Sequence, residues 1–443
     1  MSKALISFLG TNDYLECRYR LDGSKSDYPV KYIQEDMALR FCKEWTAHDE
    51  IRIFTTRKAK KINWRNNGHV DHKSKKTLPN RGLEERLQKI DSKATIRQME
   101  IAEGNTESEI WEIFEAVYNS LRENEEILFD ITHGFRSIPM LFMSLMGYAR
   151  LLKNISVDGI YYGAFEVLGN FQAVKAMDME KRIAPVFDLT SFAHILEWTE
   201  ATQSFVKNGS AREFARLAST RIGPMLKESK GKDQTAKKIA LIMKGIERIS
   251  KNILMNRGTE IVNYDYELLK QNIQDLNTED VTIKPLVPLI GKAEKKIEKF
   301  MKEDVLNGFH AVEWAMDHDL YPQAITMLQE SMVTLILSDE GLDWGKQSNR
   351  IAVSSAIKLF SMKDKKFNTA ADLDQSLANR LLSNGRVEQF YHVFEGLRGI
   401  RNDVSHCGFI TDEDNHSRSA ESIREKFMNI YHDVKQIFLV ISN

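Results

Sequence analysis

Cysteine is scarce: Cys17, Cys42 and Cys407 are the three in a chain of 443 residues. Their spacing matches neither a disulfide framework nor a zinc ligand set, so a reducing cytoplasm is the expected compartment. A charge excess is also missing. The formal net charge is −1, which argues against wholesale coating of nucleic acid while leaving room for a local basic site. No long apolar run is present: Ile138 to Leu152 is too short for a confident membrane span and carries Arg150 near its end. Met1 leads directly into Ala4-Leu5-Ile6-Ser7-Phe8-Leu9 without signal-peptide architecture, and a soluble protein is expected. Neither GxGxxG nor GxxxxGK[ST] occurs, which disfavours a standard dinucleotide or P-loop site. There is no convincing internal repeat and no low-complexity tail.

What is present is ordinary core material, 42% hydrophobic with 28% charged residues. The length is about three times that of a usual domain, so two or three domains are expected. Short apolar runs at Ala4–Leu9, Ile51–Thr55, 127–131 and Val157–Tyr162 read as strands. They alternate with helical patterns at Met37–Trp45 and from Ser137 to Leu152. That alternation predicts an α/β sheet with helices on its faces. Beyond residue 186 helices dominate, with patterns at Phe192–Val206, Ala211–Leu226, Tyr321–Leu337, Ile351–Phe360, Val387–Leu397 and from Ala420 to Val440. In the last, Ile423, Phe427, Ile430, Tyr431, Val434, Ile437 and Phe438 recur at helical spacing and demand a covered face. Lys284-Pro285-Leu286-Val287-Pro288 reads as an extended connector, because each proline disfavours helix in the residue before it.

Two loops at strand ends draw attention, since open α/β sheets bind ligands beyond the carboxyl ends of their strands. One is Gly10-Thr11-Asn12. The other, Thr132-His133-Gly134-Phe135-Arg136-Ser137, opens a helix whose free amides favour anions, with Arg136 as a further phosphate donor. Read only from the residues, both could equally be ordinary turns. Between them, Arg57 to Arg81 holds nine Lys or Arg against one acid, Asp71. A mobile, solvated excursion accounts for it better than a nucleic-acid contact, and with little aromatic interleaving beyond Trp64 a single-strand stacking platform is poorly supported.

Near the C-terminus, Arg401-Asn402-Asp403-Val404-Ser405-His406 sets a guanidinium and an imidazole five residues apart. On a helix this is about 7.5 Å of rise and roughly 140° of rotation, so the two side chains flank a surface. Arginine suits phosphate oxygens and histidine suits proton transfer, and a phosphodiester is a natural target for the pair. The plainer alternative makes His406 a capping or packed residue at a helix end.

Together these segments resemble the CRISPR-associated CARF–HEPN proteins, accessory effectors of type III CRISPR defence. The resemblance rests on Phe8-Leu9-Gly10-Thr11-Asn12, on the longer run 130–139 (Asp-Ile-Thr-His-Gly-Phe-Arg-Ser-Ile-Pro), on Ala59 and Asn63-Trp64, and on Pro185-Val186-Phe187-Asp188-Leu189-Thr190 leading towards Trp198. Arg401 and His406 fit the Arg-four-residues-His form of the HEPN ribonuclease motif. The resemblance implies a Rossmann-like CARF sensor domain over 1–185, a helical connector over 186–300 and an all-α HEPN domain over 301–443. It further implies a homodimer that binds cyclic oligoadenylate, with cyclic tetra-adenylate first in expectation and cyclic hexa-adenylate next. Gly10, Thr11, Asn12, Thr132, His133, Gly134, Phe135, Arg136 and Ser137 would contact this ligand. Metal-independent cleavage of single-stranded RNA would follow, with DNA spared. His406 would serve as acid–base or orienting group, Arg401 would stabilise the transition state, and Asn402 and Ser405 would position. No Asp/Glu cluster beside the motif suggests a metal site. Two other functions stay open: a non-enzymatic sensor acting through protein contacts, and a sensor domain that also degrades its messenger.

Overall fold

A computed structural model describes residues 1–70, 77–133, 138–276, 284–361, 375–409 and 417–439. The chain divides into two units, Met1–His194 and Ile195–Asn443.

The first unit is built on an eight-stranded sheet: β1 (Lys3–Leu9), β2 (Arg18–Leu21), β3 (Ser24–Lys25), β4 (Glu50–Thr56), β5 (Thr95–Ile101), β6 (Glu126–Asp130), β7 (Ser156–Gly163) and β8 (Ile183–Asp188). The spatial order is β3-β2-β8-β7-β6-β1-β4-β5. From β7 to β5 the strands run parallel, and antiparallel pairs join β7 to β8 and β2 to β3. All seven residues of β4 and six of seven in β1 are buried, which is why these strands read as continuous apolar runs. Apolar layers cover both faces. One contains Leu5, Ile33, Met37, Ile51 and Ile53, and the other Ala4, Ile6, Phe54, Phe129, Phe142 and Leu145. The helices that supply these layers include α1 (Ile33–Phe41), α2 (Glu107–Ser120) and α3 (Ile138–Lys153). Helix α1 begins four residues before the expected Met37, because Glu35 closes a capping box on the Tyr32 backbone amide.

Strands β2, β3, β5 and β8 were not expected. β2 and β3 are very short, and β5 is an edge strand whose exposed residues include Thr95, Arg97 and Glu100 rather than a continuous apolar run. β8 contains Pro185, which contributes its carbonyl to Ala164 N–H at 2.9 Å but has no N–H of its own.

The second unit is helical. It includes α4 (Thr190–Asn208), within which the division between units falls, α5 (Gln234–Leu254), α6 (Asn307–Asp317), α7 (Tyr321–Asp339), α8 (Gln347–Ser361), α9 (Gly385–Ser405) and α10 (Ala420–Leu439). A single apolar cluster extends from Trp198 to Val434, so helices on both sides of residue 300 share one core. On α10, Phe427, Ile430, Tyr431 and Val434 are buried in it and Ile423 and Ile437 pack against it. The side chain of Phe438 lies outside the described residues. The extended connector expected at 284–288 is instead the start of a helix, Leu286–Glu294. Pro285 caps it and Pro288 falls in its first turn, where no backbone N–H is needed. Among the described residues, no helix is long and apolar enough to cross a membrane.

Candidate ligand cleft and nuclease motif

β1 lies between β4 and β6, and among the parallel strands β4 and β5 extend the sheet on one side of it while β6 and β7 extend it on the other, so strand order reverses at β1. A crevice at the carboxyl ends of these strands follows from that reversal. The register sets Ser7 of β1 opposite Asp130 of β6, and the Ser7 hydroxyl donates to Asp130 Oδ2 at 2.6 Å. Gln34 on α1 donates to Ser7 Oγ at 3.0 Å and to the Phe8 carbonyl at 2.8 Å. Asp130 Oδ1 accepts from the Thr132 amide at 3.0 Å, and Thr132 Oγ1 accepts from Gly163 N–H at 2.7 Å. Burial raises the Asp130 carboxyl above the ordinary carboxylate range, and the Ser7 and Thr132 hydrogen bonds work against that rise.

Above this network, Gly10, Thr11, Asn12, Thr132 and His133 line one cleft of about 350 Å³ together with Thr56, Lys58 and Glu103. The structure therefore brings together the two loops singled out in the sequence. Gly134, Phe135, Arg136 and Ser137 lie outside the described residues. A second hollow of about 470 Å³ shares Asn12, Tyr14 and His133 with the first and adds Lys31, Phe165 and Phe171. The rings of Tyr14 and His133 meet at a centroid distance of 4.4 Å, tilted by 37°. Burial drives the His133 imidazole down to about 4, so it is neutral at pH 7. At Gly10 the chain passes close to Tyr14: a Cβ there would sit 2.5 Å from the Tyr14 hydroxyl, so a larger residue would displace that ring.

Asn63 was noted in the sequence but not as a site residue. Its amide donates to the carbonyls of Gly10 and Asn12, both at 2.9 Å, while its oxygen meets His69 Nε2 at 2.7 Å. A π-helical turn, Lys60–Trp64, buries Asn63 and Trp64 and so aims the amide at the loop. The basic stretch is therefore not wholly a solvated excursion. Its arms are joined by Asn67 N–H to the Asn80 carbonyl at 2.7 Å and Leu78 N–H to the His69 carbonyl at 2.8 Å, with 71–76 outside the described residues. Tyr14 gave no signal in the sequence, since its role depends on which strand ends become neighbours.

In the helical unit, Arg401, Asn402 and Ser405 lie on the last turns of α9, and His406 is its C-cap. The helix closes with a Schellman pattern: Gly408 N–H reaches the Asp403 carbonyl at 3.1 Å and Cys407 N–H the Val404 carbonyl at 3.0 Å. His406 does occupy a helix end, but its side chain is exposed, as are Asn402 and Ser405. Arg401 is half-buried and pairs with Glu330 on α7 at 3.3 Å. Asp403 pairs with Arg418 at 3.2 Å, which accounts for its place in the motif by local structure. His318, in contrast, is a core residue, with Nδ1 2.7 Å from the Trp314 carbonyl. Among the described residues, no three or more His, Cys, Asp or Glu side chains gather as a metal-ligand set.

Residues 4–166 match the family described as CRISPR system endoribonuclease Csx1, CARF domain. The chain is 24% identical over 307 residues to the CRISPR-associated protein MJ1674 of Methanocaldococcus jannaschii, an alignment covering 69% of this chain and 41% of that protein. The chain thus spans well under half of that relative's length. Among solved structures, Enterococcus italicus Csm6 bound to cyclic hexa-2'-fluoro-hexa-dAMP aligns with 100% of this chain and 94% of its own at a TM-score of 0.43 and 12% identity. The strand-end cleft falls inside the matched segment. Residues 4–166 are thus similar to the CARF domain of that family, and the chain is similar over 307 residues to a CRISPR-associated protein.

Proposed function

We propose that the protein is a metal-independent endoribonuclease of type III CRISPR defence, switched on when cyclic oligoadenylate occupies the CARF cleft. The observation that carries this reading is the pairing, in one chain, of a Csx1-type CARF cleft with an Arg-four-residues-His segment at an exposed helix end. A ring of phosphates and adenines suits a cradle formed by two copies of the same loops about a two-fold axis, so a homodimer is part of the reading. Loop amides and Lys58 supply donors for phosphate and ribose, and the aromatic walls at Tyr14, Phe165 and Phe171 supply surfaces for bases.

In the helical unit, treated as a HEPN nuclease, the RNA 2'-hydroxyl attacks the adjacent phosphorus and the 5'-oxygen leaves. The products are a 2',3'-cyclic phosphate and a 5'-hydroxyl. His406 moves or orients the proton, and Arg401 stabilises the added negative charge on phosphorus. Asn402 and Ser405, both exposed beside them, position the phosphate. The need for a 2'-hydroxyl spares DNA.

The test is cleavage of a fluorescent single-stranded RNA in EDTA with cyclic tri-, tetra- or hexa-adenylate, for the wild type and for His406→Ala and Arg401→Ala. One ring should stimulate cleavage, with cyclic tetra-adenylate the first expectation, and each variant should lose about 10²-fold or more. Ring binding without RNA cleavage would replace this reading with a non-enzymatic sensor.

A further inference from the structure

Three neighbouring helices each bring one charged residue to the same place: Glu330 from α7, Arg350 from α8 and Arg401 from α9. Arg350 is fully committed to structure. It donates to Glu330 Oε2 at 2.7 Å, to the Glu330 carbonyl at 3.0 Å, to Thr334 Oγ1 at 3.1 Å and to the Trp344 carbonyl at 2.8 Å. One oxygen of the Glu330 carboxylate is thereby fixed, and the other, Oε1, faces the Arg401 guanidinium at 3.3 Å. The bridge borders a cleft of about 220 Å³ lined by Glu330, Arg350, Thr326, Thr334 and Trp344.

We infer that Glu330, anchored by Arg350, is a positioning residue for Arg401 that aims its guanidinium at the scissile phosphate. This rests on the ribonuclease reading above. An unanchored arginine would sample many rotamers, and its transition-state contact would then cost ordering entropy at each turnover. Through the Arg350 anchor that ordering is supplied by the fold. Partner exposure argues against a stability role: the Arg401 and Glu330 side chains are 34% and 43% exposed, and pairs of that kind contribute little to folding. A single contact at 3.3 Å also leaves the remaining guanidinium donors for phosphate.

The experiment compares steady-state RNA cleavage by wild type, Glu330→Gln, Glu330→Asp and Arg350→Lys at saturating activator, with thermal unfolding measured on each. Expected for Glu330→Gln is a fall in kcat of about tenfold with KM within twofold and an unchanged melting temperature, Glu330→Asp recovering part of the loss. Arg350→Lys should lower kcat in the same direction, because a lysine cannot hold all four acceptors. Unchanged kcat in Glu330→Gln, alongside an active wild type, overturns the inference. A rise in kcat/KM overturns it too, making Glu330 a competitor of the phosphate. A folded wild type that binds a ring but cuts no RNA removes the ribonuclease reading itself.

Discussion

The rings of Tyr14 and His133 lie 4.4 Å apart and are tilted by 37°, joining the loop after β1 to the loop after β6. Both rings border the two hollows at the strand ends, so a molecule held in either would meet this pair. Burial holds the His133 imidazole at about 4, against an ordinary value of 6.5. It is therefore a neutral hydrogen-bonding and stacking group, rather than a cation for phosphate. The unfolded chain takes up this proton first as pH falls, so His133 lowers stability progressively from about pH 6.5 to about 4 and has no such effect above 6.5. Its ring protons should show no titration between pH 8 and 5.5 by NMR. His133→Gln should flatten the acid slope of stability. A midpoint near 6.5 would contradict this account.

Asn63 holds the loop after β1 by donating to two carbonyls that no other side chain is shown to satisfy among the described residues. Asn63→Asp is nearly isosteric but turns the donor into a carboxylate facing those carbonyls. The expected cost is about 1–3 kcal/mol in stability, with cyclic oligoadenylate affinity lowered about tenfold. Calorimetric titration and thermal unfolding check both. Full affinity in a folded Asn63→Asp protein would show that the loop does not depend on this amide.

Glu313 on α6 ties α10 into the helical unit by accepting from Tyr431 at 2.9 Å and Lys435 at 3.1 Å, and it also accepts from Lys299 at 2.7 Å. Burial alone would raise its carboxyl. The three donors outweigh that and hold it at about 2, against an ordinary 4.5. A depressed folded value means that the stabilisation is complete above about pH 4.5 and is lost as pH falls through about 2. Glu313→Gln should cost about 1–2 kcal/mol at pH 7, after allowance for solvent screening, and the difference from wild type should shrink below pH 4.5. Denaturant unfolding at pH 7 and pH 3 tests the sign.

The central strands were legible because β1, β4, β6 and β7 are largely buried, so apolar residues mark them without any help from topology. The same holds for α10, where the spacing of Phe427, Ile430, Tyr431 and Val434 forces a covered face. Composition also gave the loops Gly10–Asn12 and Thr132–His133 their polar character, and the motif spacing of Arg401 and His406 is a property of the chain itself. Edge strands such as β5 escaped because one exposed edge removes the demand for apolar residues. Pro285 and Pro288 misled because a proline's cost vanishes in the first helical turn, and only the fold shows where that turn begins. Tertiary structure alone decided that Ser7 meets Asp130, that Asn63 reaches back to Gly10 and Asn12, and that Glu330 stands between Arg350 and Arg401. Local patterns record what one segment must bury. Which polar groups then face each other is fixed by strand order, register and helix packing, and these depend on the whole chain.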